Sequence, residues 1–221
     1  MKKHTLLSDI AVFLLIFFLF IVPPFFASAL SAAKPLFSGW GFPWYQLLLA
    51  AFSSVLLYFY YEKNNRHTLI VFPVLFTFGM LFATSLFCRF LSETFAVING
   101  TVSYSDGSEF VVRPQGVLQW LFCLINFVCA AFYEEVLYRF YFADALLELI
   151  TRKKVFRWSR IFCEVFCLLC FAFAHLYMGW ISVLNAALAH VFLRLCYKKT
   201  GKLWPCVASH FIYNVISMIL L

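Results

Sequence analysis

Glu134, Glu135 and Arg139 fall within six residues of an otherwise apolar stretch, AFYEEVLYRF. On a helix advancing about 100° per residue, Glu135 and Arg139 lie four apart on one face and can pair, while Glu134 is turned about 140° from Arg139. The two carboxylates therefore have different tasks. Arg139 holds Glu135 ionised and fixed, and Glu134 is left free to titrate or to hold a water. Two further stretches carry similar chemistry. FAFAH ends an apolar run with His175, and ASHFIYN places His210 and Asn214 four apart on one helical face. An imidazole and an amide aimed the same way form a donor pair for an oxygen that becomes negative.

Each of these residues has a structural alternative. A buried Glu–Arg pair can simply lock helices together, and a single His or Asn in an apolar helix is commonly an interhelical hydrogen bond. Two Glu, one Arg, two His and one Asn in three apolar segments exceed what packing requires. Together they contain a water activator and an oxyanion stabiliser, the minimum for hydrolysing an amide.

The elements that must position this set are membrane helices. Of 221 residues, 64% are hydrophobic and only 12% charged, with 30 phenylalanines, which no soluble domain of this size could bury. Runs near the roughly 20 residues needed to span a bilayer occur at about 9–30, 42–61, 68–91, 117–150, 158–179, 181–197 and 203–221. The expected fold is an all-α, multi-spanning transmembrane helix bundle of about seven spans, forming one membrane domain. Residues 1–116 supply the N-terminal helices and an external loop, and residues 117–221 supply the catalytic core. The fourth run is too long for one straight span, so it tilts, kinks or continues into water.

Putting the N-terminus inside places Lys2, Lys3, Lys63, Arg66, the basic loop from Arg152 to Arg160, Lys198, Lys199 and Lys202 on the cytoplasmic side. Only Lys34 and Arg113 then lie outside. The expectation is a plasma-membrane protein with a cytoplasmic N-terminus and an external C-terminus. Basic loops beside anionic lipid account for the net charge of +7 without nucleic acid. The partners implied are the lipid bilayer and a membrane-associated peptide or protein substrate.

The first apolar run, with Ala27-Ser28-Ala29 after it, resembles a signal peptide but reads as a retained anchor. Ser92 to Gly116 reads as an external loop, with room for a short hairpin. Asn99-Gly100-Thr101 within it matches a glycosylation triplet by chance. Cys163, Cys167 and Cys170 in CEVFCLLC read as small packing residues rather than zinc ligands or a disulfide.

EEVLYR (Glu134 to Arg139), FAFAH (Phe171 to His175) and HFIYN (His210 to Asn214) resemble, in order and spacing, the EExxxR, FxxxH and HxxxN motifs of the CAAX protease and bacteriocin-processing (CPBP) family of intramembrane peptidases. The resemblance implies CAAX-type or bacteriocin and peptide processing. It implies that Glu134 activates water with His175, that His210 and Asn214 stabilise the oxyanion, and that Glu135 and Arg139 support Glu134. It leaves the metal open. Glu134, His175 and His210 are a donor set found in catalytic zinc sites, and family members are often labelled metallopeptidases. Water activation by Glu and His needs no ion, and the expectation leans against a tightly bound Zn.

Two features depart from the motifs. Phe140 stands where the family often has a small residue and is expected to crowd its helix face. His190, with Arg194 one turn on, has no counterpart and reads as a packing or loop-facing group. Linear depth counting also puts His175 near the outer end of its span and His210 near the inner end of its own, which requires tilted or broken spans near the site. Two other functions compete with peptide hydrolysis: a catalytically idle immunity or binding protein, and a proton-coupled transporter, against which the lack of matching halves stands.

Overall fold

The computed structural model describes residues 6–30, 40–60, 71–99, 112–152 and 157–220, and these form an all-helical membrane bundle. The apolar N-terminal run folds as α1 (Leu6–Ile16), a π-helical turn (Phe17–Ile21) and α2 (Pro23–Leu30). It is built into the core. Phe13 stacks on Phe142 at 5.4 Å, and Asp9 accepts from Arg152 at 2.6 Å. α3 (Trp44–Tyr60) packs on the long fourth run, and α4 (Val71–Asn99) packs on the last two helices.

α4 corrects one expectation, because Ser92 to Asn99 continue the helix instead of beginning the loop. Polar residues there are satisfied within the helix. Arg89 pairs with Glu93 at 3.1 Å, Thr94 donates to the Phe90 carbonyl at 2.8 Å, and Ser92 and Ala96 are buried. The hairpin expected beyond Asn99 lies outside the described residues, as do the basic residues before Leu6, between Tyr60 and Val71, and at 153–156.

The fourth run is one continuous helical stretch, Val117–Thr151, of 35 residues. At about 1.5 Å per residue it exceeds the roughly 30 Å hydrocarbon core, as anticipated. It comprises α5 (Val117–Glu134), a π-helical segment (Glu135–Tyr141) and α6 (Phe142–Thr151). The widened turns fall on the charged motif, where the Phe142 N–H bonds to the Leu137 carbonyl five residues back. α7 (Ser159–Phe173) stops short and gives way to a 3-10 turn (Leu176–Met178). Gly179, at φ 96°, then starts α8 (Trp180–Thr200), and Gly201, at φ 64°, ends it in the left-handed conformation that favours glycine. α9 is Trp204–Leu220.

Among the described residues, four helical stretches are long and apolar enough to cross a membrane: Leu6–Phe26, Val71–Ile98, Val117–Thr151 and Trp180–Thr200. Trp44–Tyr60 and Trp204–Leu220 are shorter apolar helices. α7, at 15 residues, covers only about 22 Å, less than the span expected at 158–179. Large apolar side chains such as Phe72, Phe90 and Leu195 face outward, as lipid permits, while the buried interior holds Glu135 and Arg139.

Candidate active site

α5 turns one stripe, Asn126, Ala130, Tyr133 and Glu134, toward a cavity of about 570 Å³. α7 delivers His175 to the same cavity from the break after Phe173, and α9 delivers His210 and Asn214. The structure thus brings together all four residues expected to do chemistry. The depth conflict resolves through the short α7 and the π-helical segment beside Glu134, which is the broken geometry the conflict required.

The two glutamates divide as their helical angles predict. Glu135 and Arg139 are both 0% exposed, with Arg139 Nε 3.1 Å from Glu135 Oε2. The other oxygen, Glu135 Oε1, accepts from His210 Nδ1 at 2.9 Å. Glu135 therefore reaches Glu134 through the imidazole rather than directly. Glu134 Oε2 is buried without a hydrogen-bond partner among the described residues, and His210 Nε2 stands 3.9 Å from it. The buried oxygen of an unpartnered carboxylate beside a cavity is a ready place for a water.

The ring tautomers follow from their acceptors. A carbonyl can only accept, so His175 Nδ1 donates to the Phe171 carbonyl at 2.9 Å and its Nε2 carries a lone pair. His210 Nδ1 donates to Glu135, so its Nε2 donates to a further oxygen only when the ring holds both protons. Glu134, His175 and His210 are the candidate metal ligands. They do not fit a metal site, since no group of three or more His, Cys, Asp or Glu side chains among the described residues is arranged to hold an ion.

Arg139 is held from three sides. Its guanidinium lies 4.1 Å over the Phe171 ring, and its Nη1 donates to His190 Nδ1 at 3.1 Å. His190, 2% exposed, is thus a buried partner of the charged motif. Arg194 donates to the Arg139 carbonyl, to Asp144 at 2.7 Å and to Glu164 at 2.9 Å, while Lys198 meets Glu164 at 2.7 Å. This network escaped the sequence reading. Its signal was present, because Asp144, Glu164 and Arg194 are ionisable residues inside apolar runs and each requires a partner. Phe140 is partly buried against the main apolar core and is not among the residues lining the cavity. The cysteines are free and buried, and Cys167 donates to the Tyr138 carbonyl at 3.2 Å.

Residues 116–216 match the family model described as Type II CAAX prenyl endopeptidase Rce1-like. The match supports a CPBP-family intramembrane peptidase reading of this segment. The match begins at the glycine before α5 and ends within α9, so it contains every residue of the cavity chemistry described above. The matched family is one of CAAX-type intramembrane proteases, and the apolar helices make the chain an integral membrane protein. No curated protein and no solved structure matches the chain.

Proposed function

We propose that the chain is an intramembrane endopeptidase in which Glu134 and His175 activate a water that attacks a peptide carbonyl. The observation that carries this reading is the division between the two glutamates. Glu135 has one oxygen hydrogen-bonded to His210 and the other ion-paired with Arg139 at 3.1 Å, whereas the buried Glu134 Oε2 makes no hydrogen bond and stands 3.9 Å from His210 Nε2 beside the cavity. The water sits between that carboxylate and the lone pair of His175 Nε2. As its oxygen bonds to the carbonyl carbon, Glu134 takes its proton. The carbonyl oxygen becomes an oxyanion that accepts from the Asn214 amide and from doubly protonated His210. When the tetrahedral intermediate collapses, the C–N bond breaks and the proton on Glu134 passes to the leaving amine. Arg139 and His190 keep Glu135 in place, and Glu135 keeps the His210 ring turned toward the reaction.

The substrate class consistent with this geometry is a peptide or protein segment presented at the membrane. The test is N-terminal profiling of membranes carrying the wild-type chain or Glu134→Gln. New protein N-termini present with wild type and lost with the variant are expected. Identical N-termini in both membranes would leave the idle-protein reading in possession.

A further inference from the structure

The cavity above Glu134 lies toward one end of the bundle. Besides the catalytic set, it is lined by Gln46 near the start of α3, Ser85 and Arg89 in the second half of α4, Ser182 near the start of α8, and Ser217 and Leu220 toward the end of α9. The helix directions bring these positions to the same end. Ser209, early in α9, donates to the Val74 carbonyl, early in α4, at 3.0 Å, so these two helices run in parallel. α8 returns against α9 through the short turn at Gly201. The opposite end carries Arg152, Arg157, Lys198, Lys199 and Lys202.

The two ends of the cavity differ in closure. At the first end the Arg89 side chain is 66% exposed beside Glu93, and Leu220 is 61% exposed. Toward the basic end, Leu81 and Leu193 line the cavity at 1% exposure each. Past them the space is filled by the Glu135–Arg139 pair and by Arg194 with Glu164 and Lys198. A peptide brings polar backbone groups that are costly to leave unsatisfied in lipid, so it needs a polar, hydrated way in. Only the Arg89 end supplies one among the described residues.

We propose that the cavity opens on the face opposite the basic loops, which the distribution of Lys and Arg makes the external face, so that the scissile segment reaches Glu134 from outside the cytoplasm. The substrate class is then an extracytoplasmic segment of a peptide or membrane protein, not the cytoplasmic C-terminus of a prenylated one. The cleavage of that segment rests on the peptidase reading above, whereas the face on which the cavity opens rests on its lining alone.

The experiment is thiol labelling of the full-length chain with a membrane-impermeant methanethiosulfonate, in intact cells and in inverted membrane vesicles. The eight native cysteines are buried, but Cys88 lines the cavity, so every probe is placed in a Cys88→Ala background, which serves as the blank. Ser85→Cys and Ser217→Cys probe the cavity at two independent positions, and Lys199→Cys marks the basic face. Modification of Ser85→Cys and Ser217→Cys in intact cells, with Lys199→Cys modified only in inverted vesicles, is the expected pattern. Repeating the labelling in the Glu134→Gln background should leave it unchanged, because access does not depend on turnover; a chain that labels as expected but cleaves nothing would refute the peptidase reading alone. Cavity labelling confined to inverted vesicles, or absent from both preparations, would overturn the external opening, as would modification of Lys199→Cys in intact cells.

Discussion

Glu135→Gln is the substitution that most sharply tests the roles of the two adjacent glutamates. It preserves shape and removes one charge from a pair whose members are both 0% exposed. Breaking a buried pair by removing one partner costs about 3–5 kcal/mol. Here the lower end applies, because Arg139 keeps the Phe171 ring at 4.1 Å and His190 at 3.1 Å. A loss of about 3 kcal/mol is roughly a 150-fold shift in the folding equilibrium, and for a chain of this length it lowers Tm by roughly 6–12 °C. Melting of the full-length chain in mild detergent, followed through its six tryptophans, reads that shift directly. Glu134→Gln is the matched control. Its buried oxygen makes no hydrogen bond and has only a 3.9 Å contact with His210 to lose, so its Tm should stay close to the wild-type value while cleavage disappears. Replacing both members of the pair, Glu135→Leu with Arg139→Met, removes the charges together and should recover part of the lost stability. The reasoning fails if Glu135→Gln melts with wild type, or if Glu134→Gln loses as much as Glu135→Gln.

Asn214→Ala should cut kcat by about 100- to 1,000-fold with little change in KM, because an oxyanion donor acts only as charge develops; steady-state kinetics on a cleavable reporter peptide would refute this by showing a KM effect with kcat intact. Arg194→Leu leaves Glu164 with Lys198 alone and the Arg139 carbonyl without its donor, and should cost about 2 kcal/mol in thermal melts, discounted for the exposure of Asp144. Lys198→Ala, at a side chain 45% exposed, should cost about 1 kcal/mol or less by the same measurement. Phe13→Ala removes a ring stacked on Phe142 at the core and should cost about 3 kcal/mol, read as a fall in Tm and in detergent-extracted yield.

How much of this site could be seen in the sequence depended on how far apart its partners lie along the chain. The Glu135–Arg139 pair and the shared face of His210 and Asn214 are four residues apart, so helical geometry alone predicts them. The length of the Val117–Thr151 run likewise announced a distortion, though not that π-helical turns would fall on the charged motif itself. Contacts across the bundle were illegible. Nothing in the order of residues says that His210 would donate to Glu135, 75 positions away, or that Arg194 would gather Asp144 and Glu164 from two other helices. The overrun of α4 into Ser92–Asn99 has a related cause. Turn-forming residue types were weighed there as if in water, whereas the Arg89–Glu93 pair and the packing of Ala96 satisfy them within a helix. The long-range contacts are also what give the charged motif its direction. Asp144, Glu164 and Lys198 gather around Arg194 on the basic side of Arg139, and the unpartnered oxygen of Glu134 lies on the cavity side. A chain this apolar accepts so many ionisable groups because most of them neutralise one another, and in the proposed reaction Glu134 is the carboxylate left for a water and a peptide.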